Sequence, residues 1–440
     1  MVEATAQQDT LIASILSLSK FTDDEDSLAI ATTGMQSLFE RVFDQVDNFA
    51  DIRVDKRFVE DLIDELDEKL SRQMDEILHN EEFKALEAPW RSLKFLTSRT
   101  NFAENIKISM LSVRQDELLD DFADAADITE CGLYRKVYTD EYGQFGGEPF
   151  GVMIGNYALS PSAADVALMT HMSALSAMTH APFIAGTHQS FFGINSYSEI
   201  PHLKQVEAMF EGPQYFKWRA FRDSDDSRNL GLTLPRFMLR ATYGDNIPVK
   251  TFDYQEGASQ EGDYLWGNAA FAYATRLTDS FARYRWCPNI IGPQSGGSVH
   301  DLPIDVVEEA GLSRVVGPIE TAISDRKEYE LSELGFIPLT LRKDADSAVF
   351  FSSNSTQKPK KFTSDDDGRQ AEMNYKLGTQ LPYLFIVNRL AHYIKVLQRE
   401  NLGGWKSRGD LEMELNKWIR QYVADQDNPS AATRSQRPLR

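Results

Sequence analysis

From Val54 to Leu78 apolar residues return at about every fourth position. Phe58, Leu62, Leu66 and Leu70 form the stripe, Val59, Ile63, Met74, Ile77 and Leu78 widen it, and Asp and Glu fill the opposite face. A period near 3.6 puts such residues on one side of a helix. Phe83 to Thr97 repeats the pattern with Phe83, Leu86, Trp90 and Leu93. An antiparallel helical pair joined by a short loop is therefore expected, with the stripe buried as core. It spans too few heptads for a coiled-coil seam. Upstream, Leu11, Ile12, Ile15, Leu16 and Leu18 have helical spacing in a short segment that Asp9 or Thr10 can cap. The acidic run 22–27 reads as solvated linker, and Ser27 to Phe43 as a second helical segment.

Beyond residue 105 the period changes. Ile106, Ile108 and Met110 alternate with polar residues within Ile106 to Val113, which predicts a strand. Gln115 to Phe122 reads as an acidic helix. A glycine-rich loop, Tyr142-Gly143-Gln144-Phe145-Gly146-Gly147, leads to a strand over Val152 to Tyr157. Ala163 to His180 reads as a helix, ended by Ala181-Pro182, with a buried strand at Phe183 to Ala185. Strand, helix, strand predicts an α/β body. Phe216 to Leu230 reads as polar helix broken over Leu232 to Arg236, and Thr251 to Asp263 as exposed loop. Asp325 to Leu334 reads as a charged helix. Phe336 to Arg342 and Val349 to Ser352 read as strands, and Phe362 to Gln370 as acidic loop. Met373 to Arg399 is predicted to be the longest late helix, kinked or broken at Pro382. In Asp410 to Val423 a stripe of Leu411, Leu415, Trp418, Ile419 and Tyr422 opposes Glu412, Lys417 and Arg420. Residues 427–440 are polar and need no fixed structure.

The most aromatic stretch, Pro235 to Gly297, organises the rest. Trp266, Phe271, Tyr273, Phe281, Tyr284 and Trp286 surround an Ala-rich helix over Ala269 to Arg283. Rings of this size bury large apolar areas in a core or an interface. The tail Pro288-Asn289-Ile290-Ile291-Gly292-Pro293-Gln294-Ser295-Gly296-Gly297 forbids continued helix and demands turns.

Composition changes the picture in two ways. The net charge of −21 over 440 residues argues against a nucleic-acid protein, whose basic patch would have to overcome that field. Two widely spaced cysteines, Cys131 and Cys287, suggest neither a disulfide framework nor zinc spacing, and a reduced cytoplasmic compartment fits. No long apolar run and no signal-like start is present, so no membrane span is expected. None of the seven histidines makes an HExxH or comparable pair. The glycine loops at 146–147, 296–297 and 403–404 lack the phosphate-binding patterns, and tight turns account for them better. Ser295 resembles a nucleophile elbow without its first glycine, so a serine-hydrolase-like enzyme using Ser295, or a His171/His180 site, stands as the alternative class. No convincing catalytic, cofactor or metal set emerges, which favours a structural protein over an enzyme.

Ordered segments across the chain resemble the large sheath subunit of the bacterial type VI secretion system, the TssC or VipB family. They include Leu265-Trp266-Gly267-Asn268, Arg285-Trp286-Cys287, Gly292-Pro293-Gln294-Ser295-Gly296-Gly297, Ala88-Pro89-Trp90-Arg91, Arg99-Thr100-Asn101-Phe102, the glycine loop at 142–147, His180-Ala181-Pro182-Phe183-Ile184, Asn388-Arg389-Leu390-Ala391-His392-Tyr393 and Leu415-Asn416-Lys417-Trp418-Ile419. The resemblance implies a contractile tail-sheath-like fold and a mechanical role. The chain would pair with a small sheath subunit (TssB or VipA) and polymerise helically with itself around an Hcp inner tube. It would attach to a baseplate, contract to propel the tube, and use no cofactor, nucleic acid or membrane insertion. A phage-type tail sheath would share these mechanics. By position, the amphipathic segment of Leu11, Ile12, Ile15, Leu16 and Leu18 would be bound by the recycling AAA+ unfoldase ClpV, and Glu412, Lys417 and Arg420 would touch the inner tube. The organisation expected is an arm over 1–53, a helical hairpin over 54–104, a mixed α/β body over 105–372 and a helical part over 373–440. Family members continue past the Arg437-Pro438-Leu439 motif with extended strands. A chain ending at Arg440 is therefore expected to be truncated or to lack that arm, and without it to give heterodimers or short assemblies.

Overall fold

The computed structural model describes residues 32–34 and 56–439, except 143, 145, 245–246, 251, 259–260, 310–311, 343–344, 363–364, 405–406 and 427. The chain divides into two units, 1–71 with 250–254, and 72–249 with 255–440. Helix α1 (Lys56–Leu78) runs from the first unit into the second, and within the first unit Lys69 donates to Glu65 and the Asp253 N–H to Asp67. Ile63, Leu66 and Leu70, expected in the core, are exposed there.

The second unit continues with α2 (Glu81–Ser98), where the Glu82 and Phe83 N–H groups donate to the Asn80 side-chain Oδ1, and α3 (Gln115–Asp124). The body follows in the order β1 (Met153–Leu159), α4 (Ala163–Thr179), β2 (Phe183–Thr187), β3 (Leu230–Leu234), β4 (Phe237–Arg240), β5 (Leu265–Gly267) and α5 (Ala269–Tyr284). Then come β6 (Ser298–Val299), β7 (Asp305–Glu309), β8 (Leu312–Val316), α6 (Asp325–Glu333), β9 (Phe336–Leu341) and β10 (Ala348–Phe350). Four helices close the chain: α7 (Asp366–Gly378), α8 (Leu381–Glu400), α9 (Arg408–Ile419) and α10 (Ala431–Gln436).

Six strands form one mixed sheet in the order β1-β2-β3-β9-β10-β6, parallel from β1 to β9 and antiparallel at β10 and β6. A mostly parallel sheet is buried on both faces, so its central strands are apolar throughout. On one face Phe183, Ala185, Leu230, Leu232, Leu234 and Phe336 pack with Met169, Met172 and Trp218. On the other, Ile184, Ile337, Leu339 and Phe350 pack with Tyr273 and Leu277 of α5 and Leu384 of α8. Gly231 lets α8 approach, because a Cβ there would sit 2.8 Å from the terminal methyls of Ile184 and Leu381. The mixed α/β class and the helix of the central stretch are as the sequence predicts. Tyr273 and Trp286 lie in the core and not at a surface.

Several expectations fail for identifiable reasons. Leu232 to Arg236 is not a break: Leu230–Leu234 is the buried central strand β3, and the polar helix before it stops at Arg222. Within the stretch read as exposed loop, Tyr254 and Glu256 are buried. Residues 366–370 open α7, because Asp365 caps it through the Gly368 N–H. The late helix, by contrast, breaks as Pro382 predicts: the break is at Thr379-Gln380, and Pro382 sits in the first turn of α8, where its missing N–H costs nothing. Within 427–440, α10 is held by Asn289, which donates to Ser435 at 2.7 Å, and by the Ala424 N–H, which donates to the Leu439 carbonyl at 2.8 Å. Residues 106–113 alternate as a strand should, but pair with nothing among the described residues.

Candidate functional site

The enzyme alternative finds no assembled site. Ser295 is exposed in the turn 292–297, which folds back on β10: the Gly292 N–H donates to the Phe350 carbonyl at 2.7 Å, and the Phe350 N–H to the Gly297 carbonyl at 3.0 Å. Gly296 has φ +92°, and a Cβ on Gly297 would lie 2.6 Å from the Gly292 nitrogen and the Phe350 oxygen. The paired glycines thus serve a backbone path. His171 stacks on Phe122 at 5.1 Å, while His180 ends α4 at φ +55°, with its ring 6.0 Å from His392. No hydrogen bond joins Ser295, His171 and His180 among the described residues, where no group of side chains suited to a metal ion occurs either. Cys131 and Cys287 are unpaired, and burial pushes the Cys287 thiol up to about 12.

Two buried polar centres hold this unit together. Arg240, at the end of β4, donates to Glu256 at 2.5 and 3.1 Å and to Glu87 of α2 at 3.3 Å. Glu256 also accepts the Tyr243 N–H at 2.9 Å and lies 3.1 Å from His79 Nε2. Arg91 joins Glu87 at 2.5 Å to the Tyr243 hydroxyl at 2.8 Å. Burial alone would raise the Glu256 pKa. Arg240, the Tyr243 N–H and His79 outweigh it, and the carboxyl stays below its ordinary range. The second centre is His392 on α8. Its Nε2 donates to the Thr179 carbonyl at 3.0 Å, while Nδ1 is buried without a partner.

The C-terminal helices dock through aromatic rings. The stripe of α9 faces inward as predicted: Trp418 lies 5.8 Å from Tyr393 of α8 and 5.2 Å from Tyr422, which meets Trp286 at 5.2 Å. Glu412, Lys417 and Arg420 point outward and are exposed. Trp418→Ala is expected to cost about 2 kcal/mol, since the ring is half-buried and its edge-to-face partners are lost. Limited proteolysis checks this: cleavage after Gly404 should speed up while the sheet core stays resistant.

One helix presents an exposed apolar face. Leu86 and Trp90 on α2 are 62% and 60% exposed, and Phe83 lies on the same face. Ile77 on α1 is exposed as well. The opposite side of α2 carries buried Ser92 and Leu96 and packs on α5 and on β4 and β5. Among the described residues, Ile63, Leu66, Leu70, Ile77, Leu86 and Trp90, read from the sequence as core, are therefore exposed, while Leu78 is buried. Leu11, Ile12, Ile15, Leu16 and Leu18 lie outside the described residues.

The fold is a mixed sheet with buried polar centres and helices that expose one apolar face, and comparison places the chain among tail-sheath proteins. Residues 60–357 match the VipB family, described as EvpB/VC_A0108, tail sheath N-terminal domain. Residues 370–440 match the tail sheath gpW/gp25-like domain of the same group. The chain belongs to this VipB sheath family, whose members are structural proteins. It is 35% identical over 445 aligned residues, 99% of this chain and 88% of its relative, to the type VI secretion system sheath protein TssC1 of Pseudomonas aeruginosa. A cryo-EM structure of the anti-feeding prophage baseplate aligns over 74% of this chain and 70% of that one, at 11% identity and a TM-score of 0.34. No described helix is long and apolar enough to cross a membrane.

Proposed function

We propose that this chain is the large subunit of a type VI contractile sheath, acting mechanically and without catalysis in the cytoplasm. It pairs with a small sheath subunit of the TssB or VipA kind, polymerises helically around an Hcp tube, and contracts from a baseplate. Non-closing interfaces generate such helices, and two packings of the same subunits supply the stroke. The observation that carries the reading, beyond family membership, is the exposed apolar face of Phe83, Leu86 and Trp90 on an otherwise acidic chain. Apolar side chains at i, i+3 and i+7 seat a partner helix or groove. The organisation proposed is an arm over 1–53, a hairpin over 54–104, a body over 105–372 and a helical end over 373–440. Leu11, Ile12, Ile15, Leu16 and Leu18 serve an unfoldase such as ClpV. Glu412, Lys417 and Arg420 contact the inner tube, where weak, screened charge pairs suit release.

Co-expression with the small sheath subunit, followed by co-purification and negative-stain microscopy, tests this. A stable complex and tubular assemblies are expected. Leu86→Asp with Trp90→Asp should abolish the complex while shifting the thermal midpoint by less than about 3 °C, since neither side chain is in the core. No association with the small subunit overturns the reading.

A further inference from the structure

Positive charge gathers along α8 without an answering carboxylate. Elsewhere in the second unit cations meet acids: Arg236 pairs with Glu320, Arg285 with Glu104 and Lys376 with Glu333, each at 2.6 Å. Acidic residues outnumber Lys and Arg by 67 to 46, yet Arg389, Lys395 and Arg399 form no ion pair among the described residues. Arg389 lies over the rings of Phe281 and Tyr393 at 5.1 and 4.8 Å, and Lys395 over those of Tyr138 and Tyr142 at 5.1 and 5.2 Å. Arg399 donates to the carbonyls of Glu141, Tyr142 and Gln144 at 3.2, 3.3 and 2.8 Å. These groups converge on Tyr142. A π-helical turn over Arg135–Thr139 sets Tyr134, Tyr138 and Tyr142 in one column, with ring centres 5.0 and 4.4 Å apart. The Tyr142 ring is 5.8 Å from His392, and Arg389 and Arg399 both act on its hydroxyl. That hydroxyl is buried without a hydrogen-bond partner, as are Arg389 Nε, Arg399 Nε and, on a ring 2% exposed, His392 Nδ1. Glu141, beside Tyr142 in sequence, is engaged by the Glu148 N–H at 2.7 Å, and Asp140 is exposed. Buried donors left unmade are costly, and cations without a counter-charge add to that cost.

We infer that the cluster around Tyr142 and α8 binds a small free oxyanion of phosphate size, held by Arg389, Lys395 and the Tyr142 hydroxyl. The inference stands independently of the sheath reading. An oxyanion accepts several charge-assisted hydrogen bonds at once, from a planar guanidinium fork and from an ammonium acting as a point charge. The unpartnered atoms lie out of solvent reach. A compact ion, admitted as the long Arg and Lys side chains turn, suits them better than an acidic side chain carried on a second backbone. Bound there, the ion bridges α8 to the helical turns over residues 132–142.

Calorimetric titration of the full chain with inorganic phosphate, at constant ionic strength in chloride, tests this. One saturable site is expected, and about 10 mM phosphate should raise the thermal midpoint by at least about 2 °C over chloride of equal ionic strength. Arg389→Gln and Lys395→Gln should each weaken binding at least ~10-fold. Tyr142→Phe separates binding from architecture. It should weaken phosphate by a similar factor while the midpoint in chloride holds or rises, because the deleted hydroxyl has no partner in the empty fold. Lys361→Gln, at an exposed position outside the cluster, should bind as the wild type does. Absence of saturable binding overturns the inference, and so does an equal rise in midpoint with chloride. Binding that survives all three cluster variants means an adventitious ion only. A chain indifferent to phosphate whose Arg389→Gln and Lys395→Gln variants lose the small sheath subunit would assign the cluster to a partner's carboxylate, which also overturns the free-anion site and leaves the sheath reading standing.

Discussion

Arg240→Ala should cost about 3–5 kcal/mol, read as a fall in the urea midpoint of the unit built from residues 72–249 and 255–440. The guanidinium is 4% exposed and is the main counter-charge of Glu256, which is 1% exposed, and a second one for Glu87. Removing it strands two carboxylates in a site closed to water. His79 touches Glu256, and Arg91 touches Glu87, but neither reproduces the two-pronged bond of Arg240. The large effect comes from the charge left behind. Arg240→Met with Glu256→Met should therefore recover most of the loss, because a buried pair replaced by apolar side chains of similar volume is often nearly neutral. A single-variant cost below about 1 kcal/mol would show that water reaches the site. The pH dependence has a fixed sign. Because the folded state holds Glu256 below its ordinary value, its contribution is complete above about pH 4.5 and is lost as pH falls through the folded pKa.

This network also marks the limit of what a sequence declares. The elements carrying their own periodicity, α1, α2 and α9, are legible because an amphipathic helix writes its face into its spacing, and α4 and α5 because long Ala-rich runs free of Gly and Pro favour helix. Strand β3 is not, since Leu-Gly-Leu-Thr-Leu is buried on both faces and so lacks the alternation of a half-buried strand. The antiparallel pairs β4–β5 and β7–β8 join residues far apart or in short runs, which no local window reads. Glu256 sits in a segment polar enough to pass for solvent-exposed loop, and its burial follows only from Arg240, 16 residues earlier. The exposed stripes of α1 and α2 are the opposite case. Their pattern is plain, but whether it faces this chain's core or another chain is a property of the assembly. Ile106 to Ser112 likewise alternates without a partner strand among the described residues, so local pattern and isolated fold disagree there too.

Acidification should destabilise the chain through His392 by about 3 kcal/mol between pH 6.5 and 4. The ring is 2% exposed. Burial chiefly, then Arg389, His180 and Lys395, push its pKa down to about 4, against the single favourable bond to the Thr179 carbonyl. The unfolded chain takes up the proton near pH 6.5 and the folded chain only near 4, so between them the unfolded state binds more protons and stability drops as the pH is lowered. Above pH 6.5 the residue contributes no slope. His392→Gln keeps a donor for Thr179 and removes the titration. Urea midpoints of the two proteins should therefore run parallel above pH 6.5 and diverge below it, with the wild type the steeper. Equal slopes throughout would mean that the imidazole charges in place, with Tyr142 at 5.8 Å and the His180 ring at 6.0 Å making room for water. Placed between the end of α4 and the middle of α8, this histidine ties the two helices together, and acid acts on that contact through the charge it would bury and not through the bond to Thr179, which protonation strengthens. Proteolytic release of residues after Gly404 should then accelerate below pH 6 in the wild type and not in His392→Gln.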